Sequence, residues 1–407
     1  MMNSEKSSKR LMLLGGIRYL VPAIEAAHRH GYHVITVDYL PDNIAHRYSD
    51  EYHNISIIDR EAVLRLAQSL DIDGILSFAV DPGVTSAAYV AEKMGLPFQC
   101  SYEATCILQD KARFRQFLTD HGFNCPVAKG YDDAELALQE ADIFNWPVIV
   151  KPVDSAGSKG VSRVDFRENL RAAIDYALSE SHCGKFIIED FLEKDGLSSG
   201  SESFVVDGKL LYNGFYDQFF DLEAVNPYTP SAECWPSAKP QSVLQEVRSE
   251  LQRLFTLLGV GTGLFNVEWR VCTNGKTYLM EVSPRAGGNR LAEMLNVAAD
   301  VDIIDAEVVK AVGETPVGIH EPNYKGHYAI FVLHSDKSGI FRGIAVDEDF
   351  RKEHVVEEEI RIQKGDRIEP FTGANTAIGT LFLRFSSHEE MMDLMGRRKE
   401  WIRIISD

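Results

Sequence analysis

The sequence predicts a multidomain protein of mixed α/β and α+β class. The expectation is an N-terminal parallel sheet with helices, a central region built on antiparallel hairpins, and a strand-rich C-terminal part. Three observations carry it. Residues 11–99 alternate apolar strands with helices, the order of a parallel sheet covered by helical crossovers. Asp207-Gly208 and Asn274-Gly275, each between apolar runs, are strong hairpin signals. The tail from about residue 326 holds short apolar runs of strand length. At 407 residues the chain exceeds one ordinary core, so two or three domains are expected.

In the N-terminal part LMLLG is a strand, and a helix over 22–30 starts near Pro22 and stops at Gly31. YHVITVD is the second strand. A helix over 61–70, the strand GILSF and a helix opened by Asp81-Pro82 and ended near Gly95 follow. Parallel sheets bind ligands at the carboxyl ends of their strands, which nominates the Gly15-Gly16 turn, Asp38 and Asp81. LGGIRYL lacks the full GxGxxG fingerprint, and for Asp81 a helix cap is the better reading.

A linker near Ser101 leads to DKARFRQFLTDHG, a helix with Asp110 as its cap and Gly122 as its stop. Lys111 falls in its first turn, where the helix dipole disfavours a cation; it serves either a ligand or solvent. NWPVIVKP is a strand ending at Lys151. The next loop, Ser155-Ala156-Gly157-Ser158-Lys159-Gly160, has no bulky side chain to keep phosphate from its backbone N–H groups, and Lys151 and Lys159 add charge. It is not a Walker A loop, since GxxxxGK[ST] is absent and a strand follows. A flexible lid and a plain turn both fit.

NLRAAIDYALSES is an amphipathic helix, KFIIEDFL a strand carrying Glu189, and Glu202 enters the Asp207-Gly208 hairpin. Residues 221–240 are rich in proline and aromatics and too long for a connector, so they are assigned to substrate contacts. QSVLQEVRSELQRLFTLLG is a long helix. Beyond Arg290, residues 291–312 are helical; the tail carries the strands HYAIFVLH, RGIAV and GTLFLRF and a final helix near 388–401.

The bulk numbers narrow the function. A hydrophobic fraction of 45% and a charged fraction of 25% describe a globular chain, and a net charge of −19 argues against nucleic acid or an anionic membrane as partner. Bound phosphate would need a local concentration of basic residues. The six cysteines show no CxxC spacing, which favours free thiols in a reducing, cytoplasmic setting over disulfides or zinc. The opening MMNSEKSSKRLMLL reads as a disordered tag before a strand, because Gly15-Gly16 and Arg18 cut its apolar run far below spanning length.

The richest stretch is LFNVEWRVCTNGKTYLMEVSPRAGGNR, from Leu264 to Arg290. If Asn274-Gly275 forms a two-residue type I′ turn, Thr273 faces Lys276, Arg270 faces Leu279, Glu268 faces Glu281 and Asn266 faces Ser283. Alternation then puts Phe265, Val267, Trp269, Val271, Tyr278, Met280 and Val282 on one face, and Asn266, Glu268, Glu281 and Ser283 on the other. Opposed carboxylates repel unless a cation lies between them, most simply Mg2+. A hairpin alone leaves open whether this is a metal pair or a solvated face.

Lys111, Lys151 with its glycine-serine loop, Glu189, Glu202, and Glu268 and Glu281 followed by Pro284-Arg285 occur in the order found in the ATP-grasp superfamily. Over residues 111–312 the chain resembles an ATP-grasp ligase, most of all the carboxylate-amine and L-amino acid ligase group, with carbamoyl phosphate synthetase-like domains close behind. The resemblance implies a Rossmann-like N-terminal domain over 1–105, a two-subdomain ATP-grasp domain over 106–315 with its lid at about 118–190, and a C-terminal α+β subdomain over 316–407. It implies ATP and Mg2+ or Mn2+ as cofactors, and small-molecule carboxylate and amine substrates. Homodimers are common in the family.

By the same resemblance Lys111 and Lys151 contact phosphates under the loop Ser155, Gly157, Ser158, Lys159 and Gly160. Glu189, Phe191, Leu192 and Met280 meet adenine, and Glu202 the ribose. Glu268 and Glu281 hold metal. Arg285, with Lys151, stabilises the transferred phosphoryl group. The family has asparagine where this chain has Ser283, so Ser283, Asn266 and Asn289 all stand as candidates for the third metal contact. The implied reaction activates a carboxylate as an acyl phosphate that an amine attacks. Alternatives are phosphorylation of bicarbonate or formate, and a nucleotide-binding module without turnover.

Overall fold

Strands Arg10–Leu14, His33–Asp38, Glu51–Asn54 and Gly74–Leu76 form a wholly parallel sheet in which the first strand lies between the second and fourth. The computed structural model describes residues 8–155 and 159–407. Four of the five residues in the first strand are fully buried, as a sheet covered on both faces requires. Helices Val21–Arg29, Arg60–Leu70 and Asp81–Met94 lie close to their expected bounds. The strand Glu51–Asn54 is new: EYHN carries no apolar run to announce it. The expected linker near Ser101 is in fact a helix, Tyr102–Gln109, whose cap Ser101 accepts from the Ala104 N–H.

The centre of the molecule is an eight-stranded antiparallel sheet. Its spatial order is Thr277–Ser283, Gly263–Val271, Ser198–Val206, Lys209–Phe220, Pro230–Trp235, His327–Leu333, Gly379–Phe385, Val355–Ile360. Three tail strands therefore complete the sheet begun by the hairpins. On one face, Val247, Leu251, Leu254 and Phe255 of helix Gln241–Leu257 share a core with Phe265, Val267, Trp269 and Leu279. On the other, Leu291, Met294, Leu295 and Ala298 join a core continuous with the N-terminal sheet. The helical stretch expected over 291–312 is two helices, Leu291–Ala299 and Ile303–Ala311, broken where Asp300 adopts φ 57°. The segment 221–240 contains the central strand Pro230–Trp235. Among the described residues no helix is long and apolar enough to cross a membrane.

The Asn274-Gly275 turn differs from expectation in an instructive way. Gly275 N–H donates to the Cys272 carbonyl at 2.8 Å, Cys272 N–H donates to the Lys276 carbonyl at 2.9 Å, and of Asn274 and Gly275 only the glycine has positive φ, 74°. This is a three-residue loop closed by a left-handed glycine, not a two-residue type I′ turn. Near the loop the register is accordingly shifted by one, with Arg270 opposite Tyr278 and Trp269 opposite Leu279. A bulge between Glu268 and Trp269 leaves Met280 as the extra residue, and beyond it Glu268 faces Glu281 and Asn266 faces Ser283, as expected. The bulge also changes faces: Leu279 belongs to the core and Met280 turns to the cavity side.

A small antiparallel sheet, in the order Ala128–Tyr131, Phe186–Asp190, Val148–Pro152, Ser162–Val164, packs against helix Leu170–Ser179 through Leu170, Ala173, Ile174 and Ala177. It is pinned to helix Lys111–Asp120 by a buried ion triad. Glu189, 2% exposed, accepts from Arg115 Nε at 3.0 Å and from Lys151 Nζ at 2.5 Å. Burial pushes the Glu189 carboxyl up, but Arg115 and Lys151 outweigh it and hold the group down at about 2. Burial pushes Lys151 down to about 8, against the pull of Glu189.

Two stability measurements follow. Gly275→Ala adds no clash, since nothing lies within 4 Å of the new Cβ, so its cost is that of the left-handed backbone, about 1 kcal/mol by urea unfolding. An unchanged midpoint would contradict the turn geometry. Glu189→Gln strands two buried cations and should cost about 3–5 kcal/mol at neutral pH. Because folding depresses the Glu189 pKa from about 4.3 to about 2, its contribution is full above the higher value and disappears as pH falls through the lower. The wild type should therefore lose more stability than Glu189→Gln across that acid window, and parallel losses would overturn the linkage.

Candidate active site

A cavity of about 470 Å³ opens between the small sheet, the hairpin and the segment 222–230. Into it project Lys111, Lys151, Lys159, Lys194, Arg270 and Arg285, a concentration of positive charge in a chain of net charge −19. That contrast marks the cavity as the place for a polyanion. Its floor is the polar face of the hairpin. Glu268 and Glu281 are directly paired, and Lys111 Nζ lies 3.7 Å from Glu281 while donating to the Ser155 carbonyl at 2.9 Å. Burial pushes Glu268 up to about 7, and the charge of Glu281 adds to the shift. Two carboxylates forced together on the floor of a basic cavity are a donor set for a hard divalent cation.

Most of the expected site residues meet here. Lys111, Lys151, Ser155, Lys159, Glu189, Phe191 and Leu192 line the cavity, as do Met280, Glu268, Glu281 and Arg285. Gly157 and Ser158 lie outside the described residues, and Gly160, at φ 71°, sits beside Pro152 away from the lining. Glu189 contributes through its triad: both carboxylate oxygens are taken by Arg115 and Lys151, so it orients Lys151. Sequence reading passed over Arg115, although its place one helical turn after Lys111 puts the two on one face.

Two expected residues are elsewhere. Glu202 is fully buried and outside the cavity lining; it accepts from Asn266 Nδ2 at 2.6 Å and from the Gly287 N–H at 3.0 and 3.1 Å, so it braces the loop after Arg285 and does not face a ribose pocket. Burial pushes it up to about 7. The exposed carboxylate that follows the strand into the cavity is Glu193. Ser283, 1% exposed, is occupied in another way. Its hydroxyl accepts from Gln109 Nε2 at 2.7 Å and donates to Asp81 Oδ1 at 3.1 Å. Asn266 Nδ2 donates to Glu202, and Asn289 Nδ2 donates to Glu233 at 2.9 Å, so each of the three candidates for a third metal contact holds a hydrogen bond within the protein.

Asp81 is the main residue that sequence reading undervalued. It lies in the first turn of its helix, whose cap position is Val80, and its carboxylate lines the cavity. It grips Arg285 with both oxygens, at 2.7 Å to Nε and 2.6 Å to Nη2. Burial pushes Asp81 up, but the Arg285 guanidinium outweighs it and keeps the carboxyl below its usual range. Arg285 Nη1 also donates to the Ala286 carbonyl at 2.7 Å. The N-terminal sheet thus fixes the arginine at the cavity's edge. Asp38, by contrast, orders its own loop by accepting from Leu40 N–H and Asn43 Nδ2. Buried Glu233 is a further residue that no sequence signal announced; burial pushes it up to about 8, and Glu268 adds to the effect.

Comparison with known proteins bears on this arrangement. Residues 127–304 match the family described as D-ala D-ala ligase C-terminus. The chain is 29% identical over 294 residues, 70% of its length and 72% of the relative's, to a formate-dependent phosphoribosylglycinamide formyltransferase from Synechococcus sp. (strain WH7803). It is 24% identical over 293 residues to the carbamoyl phosphate synthase large chain, C-terminal section, of Aquifex aeolicus (strain VF5), covering 69% of this chain and 54% of that one. Among solved structures, the L-amino acid ligase from Bacillus licheniformis superposes with a TM-score of 0.80 at 19% identity, over 98% of this chain and 99% of that one. Phosphoribosylglycinamide synthetase from Anaerococcus prevotii gives 0.75 at 20% identity, over 98% and 100%. The chain thus shares the fold of these two enzymes over nearly its whole length, and its family match falls on the small sheet and the glutamate hairpin.

Proposed function

We propose that the protein is an ATP-dependent carboxylate-amine ligase that joins its substrates through an acyl phosphate. The observation that carries this reading is the Glu268 and Glu281 pair, set in one cavity with Lys111, Lys151 and an arginine clamped by Asp81. A carboxylate resists amines because its leaving group would be oxide; once phosphorylated, it loses phosphate instead. That chemistry asks for positioning and charge neutralisation more than for a protein nucleophile.

In this reading residues 106–315 hold the nucleotide. Lys111 and Lys151 bind its phosphates, joined by Ser155 and Lys159. Asp190, Phe191 and Leu192 meet the purine, Met280 supplies an apolar wall, and Glu193 takes the ribose hydroxyls. Glu268 and Glu281 would hold Mg2+, which would neutralise phosphate charge there. Arg285, held by Asp81, meets the phosphoryl group as it moves to the carboxylate. The cavity wall at Leu222, Pro227 and Thr229 favours an organic acid over bicarbonate or formate, the small acids of the second reading that the formyltransferase and carbamoyl phosphate synthase relatives suggest.

An ADP-release assay with a panel of amino acids and small carboxylates separates these readings. Release that needs both an acid and an amine is expected; bicarbonate- or formate-dependent release would replace the proposal with the second reading, and tight ATP binding without turnover would replace both with a binding module. Glu281→Ala should abolish metal-dependent turnover at an unchanged melting temperature, and retained activity would sink the metal assignment. Asp81→Asn keeps the volume but releases the arginine from its ion pair. Its kcat should fall on the order of a hundredfold with ATP affinity within about threefold of wild type; a loss confined to ATP binding would contradict the role given to Arg285.

A further inference from the structure

The strand Pro230–Trp235 places one carboxylate where nothing in the nucleotide chemistry uses it. Glu233 is 2% exposed. Its Oε1 accepts from Asn289 Nδ2 at 2.9 Å, and its Oε2 is buried with no hydrogen-bond partner among the described residues. A buried carboxylate oxygen without a donor costs free energy, so the position implies a donor that is absent from the chain itself. Glu233 is not itself a lining residue of the cavity, but it sits opposite Gln218 in the antiparallel register, and Gln218 lines the cavity, as do Thr229 and Pro230 earlier on the same segment.

The surroundings say what kind of donor fits. Glu233 acts electrostatically on the Tyr216 hydroxyl together with Glu202 and Glu268, and no basic side chain is bonded to it. The field is therefore negative, which favours a cation over a neutral N–H. A second metal is the poorer occupant: among the described residues, the group of three ligand atoms close enough to share an ion is Asp221, His334 and Asp336, with Glu233 and Glu268 outside it. An ammonium group presents several N–H donors at once, so one can reach Oε2 while others are left for neighbours. Asn289 joins Glu233 to the N-terminal sheet domain, since the Tyr19 hydroxyl lies 3.5 Å from Asn289 Oδ1. Asn289 also stands in the loop that follows Arg285, with φ 52°.

We infer that Glu233, oriented by Asn289, is the recognition point for the amine substrate, binding it as a protonated primary amine beside the metal glutamates. The inference rests on the ligase reading. It assigns the amine to the side of Glu268 facing strand Pro230–Trp235, while the lysines and the small sheet serve the nucleotide.

The test separates the two half-reactions. Hydroxylamine, a small uncharged nucleophile at neutral pH, intercepts an acyl phosphate as a hydroxamate without needing an ammonium site. Wild type and Glu233→Gln are each given MgATP and a mixture of the common amino acids as acids, with hydroxylamine, and hydroxamate is measured. Amide formation is then titrated with the amine that the wild type accepts. Gln keeps an oxygen for Asn289 but cannot become the carboxylate that pairs with an ammonium group, so Glu233→Gln should form hydroxamate within about threefold of wild type while its KM for the amine rises at least tenfold. Asn289→Asp, which turns the donor away, should raise the same KM. An amine KM equal to wild type overturns the inference and leaves the ligase reading standing. Loss of hydroxamate together with a shifted Mg2+ dependence overturns it in favour of a metal role. A wild type that forms no hydroxamate with any acid rejects the ligase reading, and the inference with it.

Discussion

Glu268 and Glu281 are held opposite each other by the hydrogen-bonded ladder of a hairpin, and like charges in that position oppose the pairing that brings them together. The surrounding structure counters this repulsion. Lys111 reaches Glu281 from the first turn of a helix, where the dipole would otherwise disfavour it, and Arg270 and Arg285 act on Glu268 from within the same cavity. The core face of the hairpin supplies the cohesion, with Phe265, Val267, Trp269 and Leu279 buried against helix Gln241–Leu257. Apolar burial behind the sheet keeps in place a charge arrangement that would not be stable by itself.

The same division of labour explains how the domains cooperate. The small-sheet side of the cavity is anchored by the Arg115, Glu189 and Lys151 triad, which ties a helix to that sheet and leaves Lys151 and Glu189 lining the cavity. The edge at Arg285 is anchored by Asp81, which belongs to a helix of the N-terminal part yet fixes an arginine 204 residues away. A continuous apolar core from that sheet to helix Leu291–Ala299 gives this grip a rigid base. The ion pairs set geometry, and the core between them transmits it.

The sequence was most informative where the chemistry lies within one element. The parallel alternation, the hairpins and the Glu268 and Glu281 pairing follow from period-two patterning and turn residues, which are local. Lys111, Lys151 and Arg285 were legible for the same reason, as charges at the ends of recognisable elements. Glu202 and Ser283 were misplaced because their neighbours, Gly287 for one and Asp81 and Gln109 for the other, come from distant parts of the chain. Glu233 was legible only as part of a segment assigned to substrate contacts, and its pairing with Lys209–Phe220 on one side and His327–Leu333 on the other shows that it lies on a central strand. The polar strand Glu51–Asn54 was hidden because its identity comes from its neighbour in the sheet.

The hairpin's two irregularities have a consequence for comparing such chains. Its loop is one residue longer than a type I′ turn, and the bulge at Met280 takes up the difference, so the carboxylates meet as though neither existed. Turn length and carboxylate pairing are thereby uncoupled. A chain with a two-residue turn and a straight second strand would bring the same two acids together over the same interval in sequence, because what the longer loop takes out of the ladder the bulge restores. The interval between the glutamates is consequently a mark of their pairing that says nothing of the turn between them. An alignment anchored on that interval would match counterparts with either kind of hairpin without a gap, whereas one anchored on the turn residues would separate them.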